Sequence, residues 1–200
     1  MFTGIIEATG KVKAAKSVRG NRVLEIGKPR AWKLANGQSV SVDGICSTVV
    51  SSTPDTFRVE YMPETLKKTT AGGFLRGTRV NLERSLTLEK FVDGHLVLGH
   101  VDGKARVVGA VDNSNGYLLT ISLPAEISDY IALHGSFALN GVSLTVARKG
   151  ARTATVALIP HTLSHTNLGS LKKGDYANLE IDLIARYALP FLKKQKQKEV

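Results

Sequence analysis

The side chains best suited to moving a proton are concentrated in the second half of this 200-residue chain. His100 supplies an imidazole, Ser143 a hydroxyl and Asp182 a carboxylate. The two halves of the chain repeat each other, and four pairs of matching positions carry different chemical groups: Ile5 and His100, Cys46 and Ser143, Glu64 and His161, and Ser85 and Asp182. Such groups hydrogen-bond, orient water or transfer protons near neutral pH. The differences predict two similar sites with different roles.

Each candidate also has an ordinary structural interpretation. Ser143 and Thr145 alternate with apolar residues as strand residues do, and Asp182 could cap a loop. A histidine at a strand start, such as His100, is more often structural, and Cys46 suits a small buried hydrophobe. The prediction of chemistry therefore depends on the joint placement of these residues.

Other familiar site types find less support. Ser143 lacks the G-x-S-x-G elbow that would make a Ser–His–Asp triad convincing. His95 and His100 are spaced unlike zinc ligands, and neither a Cys pair nor H-E-x-x-H accompanies them, so we predict no metal site. Gly72-Gly73 and Gly169 lack the strand, lysine and helix that surround a phosphate-binding loop.

The elements that position these residues come from a duplication. Gly44 to Leu86 matches Gly141 to Leu183 without a gap, so that GICSTV meets GVSLTV, PETL meets PHTL and NLE meets NLE. Upstream, Thr3 to Ile6 matches Leu98 to Val101. Self-similarity of this length indicates one structural module used twice.

Each module reads as short strands joined by tight turns. Val40 to Val42 and Phe137 to Leu139 alternate faces and run into Asp43-Gly44 and Asn140-Gly141, which are typical hairpin turns. We expect a mainly β protein with two tandem six-stranded closed barrels, because closure removes exposed sheet edges and a small barrel offers one ligand site. The predicted domains are a barrel over residues 1–97, a second barrel over 98–187, and a C-terminal helix and basic tail over 183–200.

Prolines mark the expected helices. Pro63 and Pro160 favour the starts of short helices, since proline suits a first turn. The apolar stretch from Leu183 to Leu192 predicts a C-terminal helix that Pro190 should kink or restart. That helix could pack on its own barrel or form an oligomer contact.

Composition indicates a globular, cytoplasmic protein. The chain is 42% hydrophobic and 22% charged, without an apolar run long enough to cross a membrane or a signal-peptide pattern at the start. Its single cysteine, Cys46, excludes a disulfide within the chain. The net charge of +10 raises the question of nucleic-acid binding, but part of it lies in the tail at Lys193, Lys194, Lys196 and Lys198. The rest is scattered without interleaved aromatic residues, so we predict no nucleic-acid partner.

Several motifs in order resemble the riboflavin synthase family. They are MFTGII, the pair GICSTV and GVSLTV, PETL and IPHTL, VNLER and ANLEID, and the central GHLVLGHVDG. The resemblance extends from Met1 to about Tyr187 and includes the tandem arrangement.

The resemblance implies a fold and a reaction. The family has two six-stranded barrels and a C-terminal helix, assembles as a homotrimer and can associate with lumazine synthase. It dismutates two 6,7-dimethyl-8-ribityllumazine molecules into riboflavin and 5-amino-6-ribitylaminouracil by transferring a four-carbon unit, without a metal or organic cofactor. The active site is expected between the first barrel of one subunit and the second barrel of its neighbour.

The resemblance also implies site residues. We expect the first pocket to be lined by Gly4, Ile5, Ile6, Cys46, Ser47, Thr48, Glu60, Tyr61, Met62, Pro63, Glu64 and Thr65. We expect the second to be lined by Gly99, His100, Val101, Ser143, Leu144, Thr145, Ala157, Leu158, Ile159, Pro160, His161 and Thr162. The residues associated with activity are Phe2, Cys46, His100, Ser143, Thr145 and Asp182.

Roles follow in the same way. His100 and Thr145 would deprotonate the methyl group at carbon 7 of the donor, while Ser143 and Asp182 would activate the nucleophile that adds to the partner. Ser47 stands in place of the family's usual Leu, and His134 replaces a Lys that binds the ligand in many members. Relatives that bind a lumazine or flavin without catalysis are the alternative, but they tend to lose the second-half groups that this chain keeps.

Overall fold

The computed structural model describes residues 1–113 and 116–196. The first half contains β1 (Ala8–Val18), β2 (Asn21–Gly27), β3 (Ser39–Val42), β4 (Ile45–Thr48), β5 (Ser51–Ser52), β6 (Thr56–Tyr61), α1 (Pro63–Lys68), a 3₁₀ turn (Thr70–Gly73) and β7 (Arg79–Arg84). The second contains β8 (Gly103–Asn113), β9 (Gly116–Ser122), α2 (Ala125–Ser128), β10 (Ser136–Leu139), β11 (Val142–Lys149), β12 (Thr153–Leu158), α3 (Pro160–His165), a 3₁₀ turn (Leu168–Ser170), β13 (Tyr176–Ile181) and α4 (Leu183–Lys196).

The two halves close their sheets differently. The second half is a closed antiparallel barrel in the order β10-β11-β12-β9-β8-β13, as predicted. The first half is a seven-stranded sheet in the order β4-β3-β7-β1-β2-β6-β5, with β4 and β5 as successive parts of one segment. Between them the Val49 amide donates to Gln38 O at 2.9 Å and the Val50 amide donates to Arg58 O at 2.8 Å. The segment thus passes from one edge of the sheet to the other. In the second half the equivalent segment is the single strand β11, whose pairing with β12 shifts register between Val146 and Arg148.

Both barrel interiors are filled by side chains. Fully buried residues include Leu24, Ile26, Phe57, Val80 and Leu82 in the first half and Leu119, Ile121, Phe137, Val156 and Leu179 in the second. Each such side chain stabilises the fold by roughly 1.5–3 kcal/mol. Because side chains alternate along a strand, Cys46 and Thr48 in β4, and Ser143 and Thr145 in β11, lie on the outer faces. A ligand site formed by these residues would therefore lie outside the barrel interiors.

The hairpin turns Asp43-Gly44 and Asn140-Gly141 meet where the barrels join. All four residues have positive φ, and the φ angles of Gly44 and Gly141 are +77° and +78°. A Cβ atom on Gly44 would lie 2.7 Å from the amide nitrogen of Gly141, and one on Gly141 would lie 2.8 Å from that of Gly44. Only glycine fits both the backbone conformation and the close approach.

Buried asparagines bond one barrel to the other at this junction. The Asn81 side-chain amide donates to Asn140 O at 2.9 Å, and that of Asn178 donates to Asp43 O at 2.8 Å. The two bonds are equivalent under the repeat and satisfy carbonyls that water cannot reach.

Asp43 breaks this symmetry, because its counterpart is Asn140. Its Oδ1 accepts from the Asn81 amide at 2.6 Å and from Asn167 Nδ2 at 2.9 Å. Asn140 Oδ1 accepts from the Asn178 amide at 2.8 Å in the same way. Burial raises the pKa of Asp43 to about 7 in spite of these two bonds.

The predicted short helices are confirmed, and α4 differs from expectation. Pro63 and Pro160 occupy the first turns of α1 and α3. Helix α4 continues through Pro190, so the predicted restart of the helix there is wrong; proline removes one N–H donor, but the surrounding turns stay helical. In the described ranges, no helix combines the length and apolarity needed to span a membrane. Lys198, in the basic tail, lies outside the described residues.

Candidate functional site

A short segment precedes each barrel, residues 3–6 before the first and 98–101 before the second. Each segment packs against the other barrel, so the two segments are exchanged. The Ser143 amide donates to Gly4 O at 2.8 Å, and the Cys46 amide donates to Gly99 O at 2.9 Å. Ile6 accordingly packs against the core of the second barrel, while Val101 belongs to the core of the first. The expected pocket membership of Gly4 to Ile6 and of Gly99 to Val101 is therefore wrong: each segment borders the site of the other half.

Two buried carboxylates hold the exchanged segments. Glu83 accepts from the Thr3 amide and hydroxyl, both at 2.7 Å, and Glu180 accepts from the amides of Leu98 at 2.7 Å and Gly99 at 2.9 Å. Burial raises the pKa of both carboxyl groups, that of Glu180 to about 7.

Glycine is required where each segment touches the opposite barrel. Gly4 and Gly99 have φ of +77° and +78°. A Cβ atom on Gly4 would lie 2.6 Å from the Ser143 Cβ, and one on Gly99 would lie 2.7 Å from the Cys46 Cβ. The segments thus lie directly against the residue that differs between the repeats.

The first barrel carries a cavity of about 360 Å³ on its outer face. It is lined by Ile45, Cys46, Ser47, Thr48, Glu60, Tyr61, Met62, Glu64, Thr65, Lys68, Thr69, Gly99, His100 and Val101. This volume lies in the range of small-molecule sites. His100 is exposed here, at the same cavity as Cys46, so the imidazole predicted for the second half serves the first barrel.

Ser47, the counterpart of Leu144 in the repeat, is bonded within the barrel wall. Its hydroxyl donates to Ile45 O at 2.8 Å and lies 2.7 Å from the Tyr61 hydroxyl. Burial raises the pKa of Tyr61 far above its ordinary value, so the phenol stays neutral. The matching Leu144 is also buried, and the substitution exchanges an apolar contact for a satisfied polar pair.

The second barrel presents the matching outer surface. Ser143 is half-buried, and Thr145 and Ala157 are exposed on neighbouring strands. The Gly4 to Ile6 segment contacts Ser143, and α3, with His161 and Thr162, occupies in the repeat the place that α1 has at the first cavity. The two sites therefore share a frame and differ in their functional groups.

Ser143 has a partner that sequence reasoning missed. Nδ1 of His95 lies 2.7 Å from Ser143 Oγ, and the His95 amide donates to Thr3 O at 3.1 Å. Burial lowers the pKa of His95, an effect that the negative charge of Asp182 opposes. The repeat gives no signal for His95, because the matching place in the first half would precede Met1; only the GHLVLGH motif marks it.

Asp182 has the capping role that its structural interpretation offered. Its Oδ1 accepts from the Ile184 amide at 2.7 Å, at the start of α4. The Ser85 hydroxyl, its counterpart, donates to Ser39 O at 2.6 Å. Asp182 thus both begins α4 and influences His95.

The remaining candidates are dispersed. Phe2 is fully buried and pairs with Val97 through backbone bonds of 2.7 and 3.1 Å, so it fixes the exchanged segments and presents no surface to a ligand. His134 is exposed on a turn with φ of +62°, at the place of Gly37 in the first half. Within one chain His100 and Thr145 belong to the sites of different barrels. Among the described residues, no group of three or more His, Cys, Asp or Glu side chains could hold a metal.

Comparison with known proteins agrees with the tandem arrangement. Residues 3–85 and 98–182 each match the family described as Lumazine binding domain. The chain is 41% identical over 204 residues to riboflavin synthase of Brucella abortus, covering 98% of this chain and 100% of that enzyme. It is 37% identical over 198 residues to riboflavin synthase of Bacillus amyloliquefaciens, covering 98% and 92% of the two chains.

Solved structures share the fold at lower identity. LumP complexed with 6,7-dimethyl-8-(1'-D-ribityl) lumazine has a TM-score of 0.81 and 22% identity, covering 90% of this chain and 98% of that one. LumP complexed with riboflavin has a TM-score of 0.83 and 24% identity, covering 90% and 99%.

Proposed function

The chain belongs to the riboflavin synthase family, and we propose that it converts two molecules of 6,7-dimethyl-8-ribityllumazine into riboflavin and 5-amino-6-ribitylaminouracil. One observation carries this proposal: two outer-face sites share one frame, yet each has acquired its own polar group. His100 stands at the first site, and Ser143 with His95 stands at the second. Two sites with the same backbone surroundings suit two copies of one substrate. Different polar side chains at the two sites suit one copy acting as donor and the other as acceptor.

Holding the two rings face to face would supply much of the rate. Orientation of two reactants removes the entropic cost of their encounter, which is worth up to roughly 7–11 kcal/mol in well-aligned systems. The transfer exchanges a four-carbon unit between identical molecules and needs no external oxidant or reductant. The protein's own groups then need only move protons and hold an adding oxygen.

We assign proton transfer to His100 and Thr145, acting on the acidic methyl group at carbon 7 of the donor. Their separation within one chain supports an active site built from the first barrel of one subunit and the second barrel of its neighbour. Ser143, oriented by His95, holds the oxygen that adds to carbon 7 of the acceptor. Asp182 supports His95 through its charge.

Helix α4 supports assembly of the homotrimer that this active site requires. Ile184, Tyr187, Phe191 and Leu192 are 75%, 71%, 63% and 53% exposed and recur at the spacing of one helical face. Arg186 anchors the helix to its own barrel through a double ion pair with Asp102, at 2.8 Å for each bond, leaving that apolar face outward. An apolar stripe of this kind marks a protein contact, and a mass measurement in solution tests for three subunits.

The decisive experiment is turnover by the purified protein without added metal. We expect 6,7-dimethyl-8-ribityllumazine to be consumed and riboflavin fluorescence to appear at half the molar amount consumed. Tight binding of the lumazine without turnover would instead support a non-catalytic antenna protein.

A further inference from the structure

Helix α3 carries two stacked histidines that no step above uses. His161 and His165 lie one helical turn apart, with ring centroids 4.0 Å apart and ring planes at 18°. Both side chains are exposed. Residues at this spacing face the same side of a helix, so the two imidazoles lie side by side.

The hydrogen bonds of His165 fix which nitrogen is available. Its Nδ1 lies 2.9 Å from His161 O and 2.9 Å from the Ser164 hydroxyl. A carbonyl oxygen only accepts, so Nδ1 carries the hydrogen and Nε2 keeps its lone pair. Histidines that bind metals commonly donate their other ring nitrogen to a carbonyl in this way. Among the described residues, Nε2 of His165 and both ring nitrogens of His161 have no protein partner.

The spacing also fits a cation. Imidazole nitrogens bind zinc at about 2.0–2.1 Å, so two ligands of one ion lie roughly 3–3.5 Å apart. In the stacked arrangement the two ring planes are nearly parallel, with centroids 4.0 Å apart, so the rings must rotate about their side-chain torsions before two ring nitrogens face one ion. Both side chains are exposed, which leaves room for that rotation. Two histidines four residues apart on a helix are the arrangement of the H-E-x-x-H zinc motif.

We propose that His161 and His165 form a binding site for a divalent transition cation such as Zn²⁺, with water completing the coordination. Imidazole pairs prefer Zn²⁺, Ni²⁺ and Cu²⁺ over Mg²⁺ and Ca²⁺, which take oxygen ligands. The matching places in the first half, Glu64 and Lys68, present a carboxylate and a cation, so the site belongs to the second barrel alone.

The position of the site predicts what the cation does. Glu64 and Lys68 line the first cavity, so the equivalent histidines border the second substrate surface. A cation there occupies the edge of that surface and competes with the lumazine. This consequence, unlike the binding itself, rests on the proposed function.

Zn²⁺ titration of the intact protein, followed by calorimetry, tests the site. We expect one site per chain whose affinity falls at least about tenfold in His165→Gln and in His161→Gln, because one ligand cannot chelate. Both residues are exposed, and unchanged melting temperatures without zinc confirm that the variants fold. Zinc affinity and stoichiometry equal to those of the wild type in both variants would overturn the proposal.

A gain-of-site variant provides the matched control. Helices α1 and α3 share their length, and the residues before them, Met62 and Ile159, have nearly identical backbone angles. Glu64→His combined with Lys68→His should therefore raise zinc stoichiometry from one to two per chain. A stoichiometry that stays at one would contradict the geometric argument.

Inhibition is measured separately. Zn²⁺ should raise the KM for the lumazine several-fold in the wild type, leave His165→Gln unaffected, and be reversed by a chelator. Equal inhibition of both proteins would place the inhibitory ion elsewhere and refute the competition. Absence of any turnover without zinc would refute the proposed function, while calorimetry still decides the binding site.

Discussion

The two barrels repeat several details of the backbone and differ in chemistry. The residue before α1, Met62, has φ and ψ of −75° and 160°, and Ile159 before α3 has −76° and 157°. The glycine turns at the junction are equally matched. Inward-facing apolar residues and positive-φ glycines therefore set the frame, while outward-facing positions were free to diverge.

The second barrel also has features with no counterpart. His95 lies in the segment that links the barrels and contacts Ser143, and α4 follows β13 where the first half continues into the linker. Its site is thus built from copied positions and from added ones. Differences in role between duplicated sites arise from both sources.

Removing His100 should have the largest effect. We expect His100→Ala to lower kcat by about 10²-fold or more with little change in lumazine affinity, because general acid–base groups contribute roughly 10²–10⁴-fold. Ile5→Ala, at the matching place of the first half, is the control and should change kcat only slightly. Single-turnover rates and binding titrations measure the two quantities; parallel losses of rate and affinity would reduce His100 to a binding residue.

His95 should come next, with a loss of about 10- to 100-fold in kcat for His95→Phe. Its pKa is lowered by burial, so the ring is neutral at neutral pH and its Nδ1 can accept the Ser143 proton. Protonation at acid pH turns Nδ1 into a donor, so kcat should fall as pH drops below the ordinary histidine range.

His95→Asn separates orientation from mere packing. Its side-chain oxygen can still accept from Ser143 but does not titrate, so activity should largely return and the acid limb of the pH profile should disappear. An acid limb that persists in this variant would assign it to another group.

The duplicated framework was predictable from the sequence because its signals are local. Alternation of apolar residues, Asp43-Gly44 and Asn140-Gly141 each specify a strand or turn within a few residues. The helix starts at Pro63 and Pro160 are of the same kind. Each of these signals depends on residues of one module, and each occurs in both modules.

The exchange of the preceding segments was not predictable, because it depends on contacts between distant residues. Glu83 and Glu180 look like ordinary strand-end carboxylates, yet they are buried and bind backbone amides of the segments. The contact of His95 with Ser143 follows from that exchange. Continuation of α4 through Pro190 likewise reflects the neighbouring turns more than the local propensity of proline.

The junction offers a smaller test of the asymmetry, in stability. Asp43→Asn copies the second-half residue Asn140, whose oxygen accepts the equivalent bond. Because the folded pKa of Asp43 is raised to about 7, the folded state binds a proton that the unfolded state releases, and stability falls as pH rises from about 4 to 7. We expect the variant to be more stable than the wild type at pH 8, on the order of 1–2 kcal/mol, and indistinguishable at pH 4. Urea unfolding at both pH values measures this; a uniform loss would show that the carboxylate is needed.

The smallest effect is expected from Cys46→Ser, which gives the first motif the group of the second. The Cys46 amide bond to Gly99 O is a backbone bond and persists, and a hydroxyl fits the space of the thiol. We expect kcat of the variant to stay within about threefold of the wild type. A far larger fall in kcat, as expected when a covalent nucleophile is removed, would identify the thiol as the reacting group. The reverse exchange, Ser143→Cys, is the matched control and should cost more, about tenfold, because a thiol is a weak donor to His95. Unequal costs of the same exchange in opposite directions would show that the two sites, although copied from one module, now depend on different atoms.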